Sequence, residues 1–106
     1  MVVEAEDWSV INAHFKTEGI GPMEELTEFI ANSEYRHRFF GTVFLDSLVI
    51  CAYNPFRMFS YALHISYADD CFKYGWYINK KLLWEEERRG KMQEDFSAII
   101  NKVAWF

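Results

Sequence analysis

Three histidines (His14, His37 and His64) and two cysteines (Cys51 and Cys71) are the side chains of this 106-residue chain best suited to act as a general base, a nucleophile or a soft metal ligand. Their spacing supports none of these roles. No Gly-x-Ser-x-Gly, His-Glu-x-x-His or phosphate-cradling glycine loop surrounds any of them. Zinc would suit two thiolates and an imidazole, but structural zinc sites recruit ligands in close pairs, and Cys51, His64 and Cys71 are widely spaced. Asp69-Asp70 lacks the surrounding oxygen ligands of a calcium loop and reads as a turn. No catalytic residue, metal or cofactor is therefore expected, and a binding role is favoured over an enzymatic one.

His14 and His37 fall among polar neighbours on expected helices and read as surface residues. His64 differs. It alternates with large residues in a strand-like run, so it shares a face with Ser60, Ala62 and Ser66 and, across a hairpin, with Gly75. A trough of small residues around an imidazole could hold a ligand.

The elements that position these groups follow from hydrophobic spacing. Asp7 is placed to cap a helix carrying Trp8, Ile11 and Phe15, with Gly19 ending it. Pro22 opens a second helix whose apolar stripe is Met23, Leu26, Phe29 and Ile30, with Glu24, Glu25 and Glu28 facing water and the helix running as far as Arg38. Residues 42–53 are apolar on every face. Their β-branched Thr42, Val43, Val49 and Ile50, with Asp46-Ser47 as a turn, favour strands over a buried helix, and Asn54-Pro55 ends the segment.

Alternation then sharpens. Phe59, Tyr61, Leu63, Ile65 and Tyr67 lie on one face, Ala68-Asp69-Asp70 turns the chain, and Phe72, Tyr74, Trp76 and Ile78 return on the same face, giving a hairpin over residues 57–78. Asn79 is read as the cap of a helix with Leu82, Leu83 and Trp84, followed by Glu85 and Arg89 at four-residue spacing and Gly90 as its end. Met92, Phe96, Ile99, Ile100 and Val103 form the stripe of a last helix, which should cover the Phe59/Tyr61/Leu63/Ile65 face of the sheet. The expected fold is a single α+β domain spanning residues 1–106. It has N-terminal helices, a central antiparallel sheet of three or four strands, and C-terminal helices packed on the sheet.

Composition narrows the function. The formal charge is −5, from 11 basic and 16 acidic residues, so the chain lacks the field that gathers nucleic acid. No apolar run approaches the roughly 20 residues of a membrane helix. The acidic start lacks the basic end and apolar core of an export signal, and two cysteines in apolar surroundings read as reduced, so a cytoplasmic setting is expected.

Four Trp, six Tyr and ten Phe make the chain 19% aromatic, more ring surface than a domain of this size readily hides. The expected function is therefore a small acidic protein-interaction module, of the size and charge of inhibitor or immunity-type proteins. It would bind a larger protein or a second copy of itself through Phe56, Trp76, Tyr77, Trp105 and Phe106. The alternative is a small-molecule site between sheet and helices, lined by Tyr61, Tyr67 and Tyr74 with His64 as its polar anchor.

Overall fold

The computed structural model describes residues 2–3, 5–52, 56–57 and 61–103, with 2–3 and 56–57 described by their backbone alone. The elements run β1 (Val2–Val3), α1 (Trp8–Glu18), α2 (Gly21–Ala31), α3 (Tyr35–Arg38), β2 (Phe40–Phe44), β3 (Ser47–Cys51), β4 (Phe56–Arg57), β5 (Tyr61–Ala68), β6 (Cys71–Ile78), β7 (Lys81–Arg88) and α4 (Met92–Lys102). A five-stranded antiparallel sheet in the order β2-β3-β5-β6-β7 lies between N-terminal and C-terminal helices, and β1 pairs with β4 in a separate two-stranded sheet. The α+β expectation holds, with five strands in the main sheet rather than three or four. Among the described residues no helix is long and apolar enough to cross a membrane.

Local chemistry explains the helix ends. Asp7 accepts the Ser9 backbone N–H at 2.9 Å and its hydroxyl at 2.6 Å, which caps α1 and holds the Asp7 carboxyl below its ordinary range. Gly19, at φ +73°, ends α1 and lets the Gly19 and Ile20 N–H groups reach back to Lys16 and Phe15. The second helix stops at Ala31, short of the expected Arg38. Ser33 diverts the chain there: its hydroxyl bonds the Ile30 carbonyl and the Tyr35 N–H, and a separate four-residue turn of helix follows. Asn12 ties α1 to α2 by donating to the Glu24 carbonyl and to the buried Thr27 hydroxyl.

Residues 42–51 divide between β2 and β3, joined by the two-residue loop Leu45-Asp46. Register places Tyr61, Leu63, Ile65 and Tyr67 opposite Ile78, Trp76, Tyr74 and Phe72, so the hairpin's large residues do share a face. Phe59 lies outside the described residues. Leu48, Ile50, Leu63, Ile65, Tyr74 and Trp76 from the sheet form one core with Ile11 and Phe15 of α1, Met23, Leu26 and Ile30 of α2, and Phe96, Ile99 and Ile100 of α4. The helices thus cover this face together rather than α4 alone.

The segment after Asn79 corrects the sequence reading: it is strand β7, not a helix. Asn79 and Lys80 both have positive φ (+47° and +67°), the geometry of a tight hairpin turn that matches strand twist, and Asn tolerates it well. Trp84, Glu86 and Arg88 then alternate onto the face that meets α4. Glu86 pairs with Arg88 beside it and with Lys102 of α4 at 2.7 Å, and Arg88 also reaches Asp95. Lys102 lies 4.8 Å from the Trp84 ring centre. A register shift at Trp76/Tyr77 pairs Trp76 with Trp84 and Tyr77 with Leu82, leaving Leu83 as the extra residue of a bulge.

Cys51 and Cys71 are buried, and neither is in a disulfide. Ile50, beside Cys51, is level with Leu63 and Trp76, and Cys71 lies five residues further along β6, roughly 16 Å away at strand rise. No disulfide can span that distance.

Candidate functional site

The sheet face away from the helices carries the His64 trough. Register sets Thr42, Val49, His64, Gly75 and Glu85 level across five strands. The trough is occupied from within. Tyr77 leans along its strand over Gly75, where an added Cβ would lie 2.9 Å from Tyr77 Cε1, and its ring centre is 4.1 Å from that of His64. Burial lowers the His64 pKa and favours the neutral imidazole. Among the described residues no carboxylate or hydroxyl hydrogen-bonds His64, so nothing orients it as a general base.

The other rings singled out by sequence go to three places. Trp76 is only 4% exposed and stacks on Tyr61 at 5.4 Å, and Tyr74 is fully buried, so both belong to the core rather than to an outer surface. Tyr61 and Tyr67 are half-buried at the margins of the same core, and Tyr77 is half-buried on the opposite face beside His64. His64 therefore stands across the sheet from Tyr61, Tyr67 and Tyr74, which cannot line one pocket with it. Phe56 pairs through its backbone with Val3, while its side chain, Trp105 and Phe106 lie outside the described residues.

Among the described residues, ring-on-ring packing takes up part of the aromatic surface. Phe29, Tyr35 and Phe96 meet edge to face at 5.3–6.1 Å, Tyr35 bonds Ser97 through its hydroxyl, and Arg38 lies over Tyr35 and Phe39.

Two surface clefts stand out among the described residues. The larger, of about 600 Å³, lies between the start of α1, α3 and β2, with Trp8, Phe39 and Phe40 among its lining residues. Its charged groups are already engaged. Asp7 caps α1, Glu6 accepts the Thr42 hydroxyl and the Val43 N–H, and Arg36 donates to His37 Nε2 and the Ala31 carbonyl. The smaller cleft, of about 460 Å³, lies between α2 and α4. Among the described residues no three His, Cys, Asp or Glu side chains cluster as a metal site.

Sequence reasoning missed the most exposed apolar feature among the described residues. Phe44 is 63% exposed and Leu45 78%, side by side at the tip of the β2–β3 hairpin, and Leu45 has φ +56°. A branched aliphatic residue pays a steric cost in this region that glycine avoids, of order 1–2 kcal/mol. The available signal was a two-residue loop between β-branched runs that lacks glycine. Comparison of the chain with models of known families, with curated proteins and with solved structures found no match.

Proposed function

We propose that this chain is a protein-binding module that anchors on a partner through the β2–β3 hairpin tip, Phe44 and Leu45, and that it works in a reducing, cytoplasmic setting with neither nucleic acid nor membrane as its target. The carrying observation is the coincidence at Leu45 of near-complete exposure and a left-handed backbone. The left-handed backbone carries a steric cost that glycine would avoid, and the exposed side chain gains little burial in return. Strain retained without a structural return points to function.

Seating both side chains in an apolar pocket of a larger protein would contribute about 1.5–3 kcal/mol each. Asp46, exposed beside them, adds a charge at the rim. The engaged polar groups of the larger cleft and the filled trough at His64 weigh against a small-molecule site. Two buried cysteines outside any disulfide suit a reducing compartment.

The test compares the wild-type chain with Phe44→Ser/Leu45→Gly. The double variant should melt at the same or a higher temperature because glycine relieves the strain. It should bind a partner isolated on the wild-type chain, then purified, about 100-fold more weakly or worse. Equal affinity, or a fall in melting temperature, would overturn the reading. So would tip-dependent binding to neutral lipid vesicles in place of a protein, since the anchor would then be a membrane one.

A further inference from the structure

The cleft between α2 and α4 differs from its larger neighbour in having unanswered charge. Phe29 and Met92, both half-buried against the core, form its apolar part, and Glu25 and Glu28 stand at its rim with Asn32 and Gln93. Among the described residues no cation pairs with Glu25 or Glu28. Acidic residues also gather in the sequence around α2. Glu18, Glu24, Glu25, Glu28 and Glu34 lie between residues 17 and 35 without a single Lys or Arg, and the remaining 11 acidic residues are balanced by the 11 basic ones. The stretch itself carries five negative charges, and Glu25 and Glu28 bring two of them to the cleft rim.

Fold stability does not account for it. An acidic residue at a helix start is favourable, which explains Glu24, but Glu28 stands in the last turn of α2, where the macrodipole favours a cation and the helix supplies none. Glu24 and Glu28 are four residues apart and Glu25 and Glu28 three, spacings at which like charges repel on a helix.

We infer that the α2–α4 cleft docks a Lys/Arg-rich segment of a partner protein, one apolar side chain seated on Phe29 and Met92 and its cations against Glu25 and Glu28. Charge complementarity selects this occupant over an acidic or neutral one, and a second copy of the same acidic stretch would be repelled. The cleft volume of about 460 Å³ is in the range of ligand sites and takes a large side chain with its flanking stems. This surface is separate from the hairpin tip, so either can fail without the other.

The probe is a synthetic amphipathic peptide of lysine and leucine, titrated against the isotopically labelled chain by NMR at low salt. A lysine/serine peptide and a glutamate/leucine peptide serve as counterparts. The lysine/leucine peptide should shift resonances of Phe29 and Met92 most. Both Glu25→Gln/Glu28→Gln and a rise to about 0.5 M salt should weaken its binding by about tenfold or more, and both counterpart peptides should bind at least about tenfold more weakly. Phe44→Ser should leave the affinity unchanged. The inference is overturned if lysine/serine binds as well as lysine/leucine, because charge alone would suffice. It is equally overturned if the shifts centre elsewhere, or if the glutamine variant binds like the wild type.

Discussion

Gly41→Ala is the sharpest test of the packing that holds the sheet against α1. An added Cβ at this β2 position would meet Trp8 Cη2 at 2.7 Å, and Trp8 Cζ3 and Ile11 Cδ1 at 3.0 Å, where carbon atoms rest at roughly 3.5–4.0 Å. Trp8 and Ile11 are core residues, so the indole must move by most of an ångström or the strand must lift. Overpacking of this kind costs about 1–3 kcal/mol, and the loss of glycine's unfolded-state entropy returns about 0.4–1 kcal/mol. The net expectation is a loss of about 1–2 kcal/mol, or a melting point lower by roughly 5–15 °C for a domain this small. Denaturant and thermal unfolding measure both quantities. The mechanism is isolated by a double-mutant cycle with Trp8→Phe, which removes the two indole atoms that clash and leaves only Ile11 Cδ1 close. In that background the alanine methyl occupies vacated space, and its cost should fall by at least about 0.5–1 kcal/mol. Equal costs in the two backgrounds would refute the contact as the cause, as would a Gly41→Ala protein no less stable than wild type.

Tyr74→Phe should leave stability unchanged or raise it by about 1 kcal/mol, because the fully buried hydroxyl has no hydrogen-bond partner among the described residues and burial holds its pKa well above the ordinary value; a clear loss in urea unfolding would reveal a partner for it. Tyr77→Ala should return the His64 pKa, read by NMR, toward its ordinary 6.5, since the phenol ring shields it from water. The folded state lowers this pKa, so the unfolded chain binds the extra proton: His64 contributes stability above pH 6.5 that is lost as pH falls toward its folded pKa, and the variant should lose less of it. An unchanged His64 titration would place the shielding elsewhere. Glu86→Gln should destabilise by less than about 1 kcal/mol at neutral pH, the scale of partly exposed ion pairs. Lys102 and then Arg88 hold the Glu86 carboxyl below its ordinary 4.5, so the difference from wild type should shrink as pH falls below that value, and a pH-independent difference would contradict the pairing.

The parts of the fold that were legible in sequence are those where local chemistry and burial agree. Asp7 and Gly19 mark both ends of α1, and the alternation through residues 61–67 and 72–78 fixes the hairpin and its core face. The β7 strand was not legible because its residues satisfy two periods. Leu82, Leu83, Trp84 and the Glu85/Arg89 spacing make a plausible helix, while the deciding facts are the left-handed turn at Asn79-Lys80 and the partners of Glu86 and Arg88 on α4, all of which depend on tertiary structure. The candidate site was less legible still. Counting rings could not say which of them stay exposed: among the described residues edge-to-face packing takes up Phe29, Tyr35 and Phe96 and stacking takes up Tyr61 and Trp76, while Phe44 stays exposed. A leucine at positive φ cannot be read from composition.

The two sheet edges bear on why the proposed docking uses a hairpin tip and a helix cleft rather than strand addition. The β2 edge is occupied by Glu6, whose N–H donates to the Gly41 carbonyl at 2.8 Å and whose carboxylate accepts the Val43 N–H and the Thr42 hydroxyl, so one residue takes the place of a partner strand. The β7 edge carries the Leu83 bulge and the charges of Lys81, Glu85 and Glu87, devices that turn an edge away from pairing. With both edges guarded, the half-exposed Leu82 and Leu83 do not mark a strand-pairing surface, although exposure alone would single them out. Phe44 and Leu45 lie beyond the guarded length of β2, at the turn itself. There, under the proposed reading, an apolar side chain can enter a partner's pocket without offering strand-edge hydrogen bonds to a second copy.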